Sequence, residues 1–337
     1  MSTPSAGAAV THGAARLAVG IEIGGTKLQT ALVDGDGAVH ARRADRVDPA
    51  AGATGIRDTL AKQLAGLLET ARAVGLRPAA VGIGFGGPVD RSRGVVATSF
   101  HVGGWGQFPL AAWVAEQVRG PLGDVPCVLE NDSNAAALAE ATHGAGRGDR
   151  VVVYSNAGSG IGAGLVIDGR LYRGRTSGEM ELGHLRVGAD GGILEDVASG
   201  WALDRAVQAA VVRDPTGPLA RVAAEQVGAP TARLLPAALA AGDTVATGIL
   251  QAAAGAYGLA LSHAIHLLNP DVIVLGGGVA ALGEPWRRAV ANRLDALLMG
   301  PLLPAPPVRL ARLGDDVVPV GAALAALTDS GGSHGVG

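Results

Sequence analysis

The sequence predicts an α/β protein made of two related lobes, and three observations point that way. Apolar runs of strand length alternate with longer stretches at helical spacing along the chain. One pattern occurs twice: "RLAVGIEIGGTKLQTALVDGDGAVH" (16–40) and "RVVVYSNAGSGIGAGLVIDGRLY" (150–172) both read as strand, glycine turn, strand, Asp-Gly turn, strand. Self-similarity half a chain apart suggests two related domains, although two unrelated hairpins would read alike. The length, 337 residues, is more than one hydrophobic core usually serves.

The elements follow in order. "MSTPSAGAAVTHGAA" lacks a basic n-region and a continuous apolar segment, so residues 1–16 are expected to be a disordered tail and not a signal peptide. "TGIRDTLAKQLAGLLETARAVG" is amphipathic, with Leu60, Leu64, Leu67 and Leu68 at helical spacing. "AAVGIGFGGPVD" reads as a buried strand entering a Gly-Gly-Pro loop. "CVLENDSNAAALAEATHGAG" reads as a strand, a polar turn and an alanine-rich helix. In the second half, "ATGILQAAAGAYGLALSHAIHLLNP" is a long apolar helix stopped by Pro270, and "DVIVLGGG" is a strand ending in three glycines. The boundaries expected are 17–133 for the first lobe, 134–312 for the second, 313–327 for a terminal helix packing back on the first lobe, and 328–337 for a loose tail.

Composition narrows the function. Net charge is −3 with no basic block, which disfavours nucleic acid as a partner. The best membrane candidate, "YGLALSHAIHLLNPDVIVLGGG", is interrupted by His263, His266 and "NPD", whereas a span needs about 20 apolar residues in a row. The single cysteine, Cys127 in "VPCVLE", excludes an intrachain disulfide, fits a reducing cytoplasm and reads as a small buried core residue.

Chemistry concentrates at four places. "IGGTK" (23–27) and "GSGIG" (158–162) are turns of Gly, Thr and Ser, in which backbone N–H groups can approach an anion closely. Facing each other across a cleft, the two could hold a triphosphate. Neither is a P-loop, because each leads into a strand and the G-x-x-x-x-G-K-[ST] spacing is absent. Glu22, just ahead of the first turn, could hold Mg²⁺ through water. "LGGGV" (275–279) lets a flat base lie against backbone, or else marks a close helix–strand crossing. "ENDSNAAALAE" (130–140) places Asn131 and Asp132 beyond the carboxyl end of a strand, where α/β sheets bind ligands. There Asp132 is either the base that takes a proton from an attacking hydroxyl, or, with Ser133 as the other candidate, a helix N-cap.

The fourth place is "ELGHLRVGADGGILE" (181–195), where Glu181, His184, Asp190 and Glu195 lie close together. These side chains suit a metal, a grip on sugar hydroxyls, or a merely solvated loop. Structural zinc wants four ligands, mostly thiolates, and this stretch has no cysteine. The expectation is a metal-free sugar grip braced by packing of Ile193 and Leu194.

The ordered set "GIEIGGTK", "GIGFGGPVD", "ENDSNAAALAE", "GSGIGAGLVIDG", "ELGH", "ILEDVASG", "VIVLGGGV" and "GDDVVPVGAALAAL" resembles the ROK family of sugar kinases and sugar-responsive repressors, over residues 17 to 327. The resemblance implies two actin-like, ribonuclease H-like lobes around a central cleft. It implies ATP-dependent phosphorylation of a hexose or amino sugar at its 6-hydroxyl, with Mg²⁺, in a cytoplasmic homodimer. Gly24, Gly25, Thr26 and Lys27 would form the first phosphate loop, and Ser159 and Gly160 the second. Gly276, Gly277 and Gly278 would lie near adenosine. Gly87, Asn131, Asp132, Glu181, His184 and Glu195 would line the sugar site, with Asp132 as the base.

Three departures stand out. Family members usually have Asp where Glu22 stands. They often have asparagine around a Gly-Trp loop that here reads "SFHVGGWGQF", with His101 and Gly106 at those places. Many have a C-x-C-G-x-x-G-C-x-E zinc knuckle where this chain has "GADGGILE", so structural zinc is not expected. A repressor of this family adds a helix-turn-helix before the first loop, and about 18 residues are too few for one. A non-catalytic sugar-binding regulator is the other alternative, disfavoured by Asp132 and both glycine turns.

Overall fold

The computed structural model describes residues 16–99, 102–175, 178–188, 191–225, 228–229 and 231–329. The expected tails, His101 and Asp190 therefore fall outside the described residues, apart from Arg16 and the last two residues of the terminal helix.

The first half supplies β1 (Leu17–Ile23), β2 (Lys27–Asp34), β3 (Val39–Arg46), α1 (Gly52–Ala73), β4 (Ala80–Phe85), the short β5 (Val89–Asp90) and β6 (Val95–Val96), α2 (Leu110–Leu122) and β7 (Cys127–Asn131). Next come α3 (Asp132–His143), β8 (Val151–Ala157), β9 (Ile161–Ile167) and β10 (Arg170–Leu171). The second half continues with α4 (Leu194–Ala198), α5 (Gly200–Arg213), α6 (Pro218–Ala224), α7 (Leu235–Ala240), α8 (Thr244–Leu268), β11 (Val272–Gly276), α9 (Glu284–Leu294), β12 (Val308–Leu310) and α10 (Val317–Asp329).

Both repeats of the sequence pattern are triple-stranded meanders, and each anchors a sheet of the same plan. One sheet runs β3-β2-β1-β4-β7 and the other β10-β9-β8-β11-β12. In each, two antiparallel pairings are followed by two parallel ones: β4 beside β1 and β7 beside β4, then β11 beside β8 and β12 beside β11.

The period of two in β1 sorts its side chains between layers. Val19, Ile21 and Ile23 join Leu60, Leu64 and Leu67 of α1 and Val114 and Val118 of α2 in one core. The opposite face has Ala18 and Gly20, small because α10 lies against it. A Cβ added at Gly20 would stand 1.9 Å from the Pro319 carbonyl oxygen, and one at Gly82 in β4 would stand 1.8 Å from that of Ala322. The terminal helix thus packs on the first sheet, and it runs two residues past the boundary the sequence suggests. The alanine-rich α3 is the second small-residue helix in this layer. Its Ala135, Ala136 and Ala137 meet Val152, Tyr154 and Val166 of the second sheet together with Val318 and Ala322 of α10.

Helices α4, α5, α8 and α9 cover the outer face of the second sheet in its largest core. Among the described residues α8 alone is long and apolar enough to cross a membrane, but its Leu250, Tyr257, Leu261 and Ile265 are buried in that core. It ends on Asn269 in the left-handed conformation, one residue ahead of Pro270. Cys127 is only partly buried, packed against the first core, and burial pushes its thiol up to about 11.

Candidate active site

The site is built around the junction of β7 and α3, which has no intervening turn: the strand ends at Asn131 and the helix begins at Asp132. Asn131 is the cap. Its backbone is extended and its Oδ1 accepts from the N–H groups of Ser133 at 2.9 Å and Asn134 at 3.3 Å. The alternative role of helix N-cap for Asp132 or Ser133 therefore falls to Asn131 instead. Asparagine two and three residues ahead of the orphan donors reaches them, whereas Asp132 is already the first residue of the helix. The Asn131 side-chain amide also donates to the Gly87 carbonyl at 3.2 Å, which ties the Gly-Gly-Pro loop to this junction.

With the capping done by its neighbour, the Asp132 carboxylate faces inward. Its Oδ1 accepts from the Ser133 hydroxyl at 3.2 Å. A Cβ added at Gly86 would stand 3.3 Å from Asp132 Oδ2 and 3.4 Å from the Gly24 Cα, so Asp132 lies directly beside the first glycine turn. The Ser133 hydroxyl stands 3.0 Å from Asn156 Oδ1 as well, so its one proton is shared between the two acceptors, and Asn156 lies two residues before the second turn. Asp132 therefore sits between the two turns. Burial pushes its carboxyl up to about 6, the Ser133 donors oppose that, and the Glu181 charge adds to it.

The first turn closes through the Gly24 N–H donating to the Lys27 carbonyl at 2.9 Å. Lys27 itself turns back: its Nζ stands 3.2 Å from Glu22 Oε2 and donates to the Asp315 carbonyl at 2.6 Å. Burial pushes Glu22 up to about 7; Lys27 opposes this, and Asp132 and Asp315 add to it. Glu22 Oε2 is buried and its neighbour there is the Lys27 ammonium. A desolvated carboxylate oxygen of this kind, near a second carboxylate, fits a hard cation.

The second turn, between β8 and β9, closes through the Gly158 N–H donating to the Gly160 carbonyl at 2.8 Å, with the Gly200 N–H donating to the Gly158 carbonyl at 2.7 Å. Ser159 is partly exposed at its tip. Glu195 lies against this turn: its Oε2 accepts from the Ile161 N–H at 2.7 Å. In "LGGGV" the two alternatives divide by residue. A Cβ at Gly276 would stand 2.3 Å from the Tyr154 hydroxyl and one at Gly277 2.5 Å from the Ala157 carbonyl oxygen, so both are small for packing. Gly278 has open space beside it.

Glu181 precedes a short 3₁₀ turn, Leu182–His184, and both Glu181 and His184 are exposed. Although Glu181 has an open surface, the protein packed around its carboxyl desolvates and raises it; His184 opposes this, and Glu195 and Glu179 add to it. The segment beyond is a small hairpin. The Leu194 N–H donates to the Leu185 carbonyl at 2.9 Å and the Val187 N–H to the Gly192 carbonyl at 2.9 Å. Leu194 is fully buried and Ile193 partly so. Among the described residues no three His, Cys, Asp or Glu side chains form a metal-holding group.

A cavity of about 550 Å³ opens beside Asn131 and Glu181. Its wall includes Arg91, Gln107, Glu130, Asn134, Arg173 and Glu179, none of which the sequence alone marks out. Gly87, Asp132, His184 and Glu195 are not on that wall. Gln107 stands next to Gly106, at the departure in the Gly-Trp loop, with positive φ (57°). Its neighbour Trp105 is buried edge-on against Phe85 and Phe108, which fixes the loop.

Comparison with known proteins agrees with this arrangement. The family model described as "ROK family" matches residues 18–329. A glucokinase of Streptomyces coelicolor is 32% identical over 91% of this chain and 96% of its own. A ROK family glucokinase from Streptomyces griseus, solved with glucose and AMPPNP, superposes with a TM-score of 0.79 at 32% identity, covering 93% of this chain and 99% of that one. A ROK hexokinase from Thermus thermophilus gives 0.74 at 32% identity, covering 94% and 99%. With two sheets of one plan, a glycine turn in each and an acid between them, the chain belongs to the ROK family.

Proposed function

We propose that this protein transfers the γ-phosphoryl group of ATP to the 6-hydroxyl of a hexose, with glucose the first substrate to try. The observation that supports this best is Asp132, an acid between two backbone-lined turns whose carboxyl is held near 6. At neutral pH it is mostly ionised and yet basic enough to take a proton. In the step proposed, Asp132 Oδ2 accepts the proton of the sugar hydroxyl as its oxygen bonds to the γ-phosphorus, and the bond from that phosphorus to the bridging oxygen breaks to release ADP. Gly24, Gly25 and Thr26 on one side and Ser159 and Gly160 on the other are assigned to the phosphates, and Gly278 to the adenosine end. Gly87, Asn131, Glu181, His184 and Glu195 are assigned to the sugar, Glu195 also bracing the second turn. Glu22 is assigned to Mg²⁺ through water; Mg²⁺ alongside ATP would supply charge neutralisation at the phosphates. Lys27 would then exchange its pairing with Glu22 for the phosphates.

Glucokinase relatives favour glucose. The cavity beside Asn131 and Glu181 favours a second reading, an amino sugar with a bulky substituent such as N-acetylmannosamine, at the same catalytic centre. A homodimer and a cytoplasmic location complete the proposal. ADP release with Mg·ATP, read over a panel of glucose, mannose, N-acetylmannosamine and kanosamine, is the direct test. Stimulation by one of these is expected; no stimulation by any hexose would overturn the assignment.

A further inference from the structure

Several buried acids have no role in the proposed chemistry, Glu140 and Asp243 among them, and one of these acids lines the cavity beside the site. Glu130, the penultimate residue of β7, is 2% exposed. Its Oε1 accepts from the Asn131 N–H at 3.1 Å and from the Asn134 side-chain amide at 3.2 Å. Its Oε2 accepts from the Arg173 guanidinium and stands 3.4 Å from Arg91 Nε. The Asn134 amide donates a second bond, at 2.8 Å, to Glu179 Oε1. Arg173 and Glu179 both belong to the stretch that leads from β10 to Glu181. Arg173 stands near its start and Glu179 near its end.

We infer that Glu130 and Arg173 are positioning residues that set sugar affinity: they clamp the loop bearing Glu181 onto the β7–α3 junction that bears Asn131 and Asp132. The inference rests on the proposed sugar kinase activity. One carboxylate reaches both partners at once. It holds the backbone N–H of Asn131 on the first sheet, and it holds the second-lobe loop directly through Arg173 and indirectly through Asn134 and Glu179. Low dielectric around a carboxylate this deeply buried strengthens both contacts, and the planar guanidinium directs its Nη1 donor as well as supplying charge. Neither residue touches Asp132, so the chemical step itself should be spared. What the clamp controls is the distance between the groups proposed to hold opposite sides of one sugar.

Arg173 is about one-third exposed, with a side-chain exposure of 36%, so Arg173→Met is expected to fold. Kinetics on the intact chain should show the sugar KM of Arg173→Met raised about tenfold, with kcat and the KM for ATP within about threefold of the parent. Glu130→Gln keeps the Asn131 and Asn134 bonds and loses the charge that holds Arg173. It should show the same split, and the double variant should be no worse than the more impaired single one. Arg173→Lys, with charge but no planar guanidinium, should recover part of the loss. An unchanged sugar KM in folded Arg173→Met, or a loss that falls equally on the ATP KM or on kcat, overturns the clamp. If Glu130→Gln does not fold, the Arg173 pair of variants decides alone. A parent enzyme with no sugar-dependent ADP release overturns the kinase assignment instead, so the two failures are distinct.

Discussion

Asp132 is held where the fold would prefer it uncharged. Its carboxyl, 3.8 in the open chain, stands at about 6 in the folded protein because burial disfavours the charged form. A folded value above the unfolded one means that the group favours folding only in acid. The contribution is complete below about pH 4 and is lost as pH rises through 6. Above that, ionised Asp132 opposes folding by something on the order of 1–3 kcal/mol. Asp132→Asn removes that cost while keeping shape and hydrogen bonding. The variant should melt a few degrees above the parent at pH 8, the gap narrowing towards pH 4.5, with turnover down by about 10²–10⁴ and sugar affinity within about tenfold. The parent's kcat/KM should fall about tenfold per unit below pH 6. Near-normal turnover in the variant would mean that Asp132 is not the base. Much of this residue's setting was legible in the sequence. "ENDSN" marks a strand end and a helix start, and Asp132 is the acid at the helix start. Which residue caps was not legible, since Asn, Asp and Ser all cap well and only backbone geometry chooses among them. Glu130, Arg173 and Glu179 were illegible for another reason. Their bonds join residues 43 and 45 positions apart, and no local spacing announces such a contact.

The elements fall into those that local pattern specifies and those that only packing does. Both glycine-turn meanders were legible because alternation and Asp-Gly turns are local signals. The matching sheet orders then follow from the same local plan used twice. The "LGGGV" turn was half legible. Three glycines announce close approach, but only the folded chain shows that Gly276 and Gly277 yield to Tyr154 and Ala157 while Gly278 stays open. The segment from Glu181 to Glu195 is the sharper case. Its acids and histidine suggest a metal, yet backbone pairing between residues 185–187 and 192–194 and the burial of Leu194 already account for its shape. Glu195 is also committed to the Ile161 N–H. Protein purified without chelator should therefore contain zinc well below one per chain, and chelation should leave the melting temperature unchanged. One tightly held zinc per chain, with unfolding on its removal, would sink the metal-free reading. Leu194→Ala, by contrast, empties a fully buried position and should cost about 2–5 kcal/mol, read by denaturant unfolding.

At the scale of the molecule, two sheets face a shared layer of small-residue helices. Ala135, Ala136 and Ala137 of α3 and Ala322 of α10 give that layer smooth surfaces, with few large side chains to lock one sheet against the other. Smooth, alanine-faced contacts suit the small sliding or hinging motions by which lobes close on ligands. Among the described residues, polar side chains link the two sides of the junction, Glu130 to Arg173 among them. Others are Ser133 to Asn156, and Asn134 to Glu179. The proposed phosphate turns come from opposite lobes, so a triphosphate contacting both would favour whichever arrangement brings them together. A ligand shifts such an equilibrium only by its differential affinity for the two arrangements. Sugar bridging Asn131 and Glu181 would add to the same bias. Closure would also keep water from the γ-phosphate, and hydrolysis without sugar should be slow for that reason. Small-angle scattering of the protein alone, with glucose, with a non-hydrolysable ATP analogue, and with both should show stepwise compaction, largest for the ternary complex. Arg173→Met should compact less than the parent at equal sugar concentration and match it at saturation, because a weakened clamp lowers affinity without removing the closed form. A radius of gyration unchanged by saturating sugar and nucleotide together would show that the lobes are already fixed, and the two turns would then have to hold the phosphates without moving.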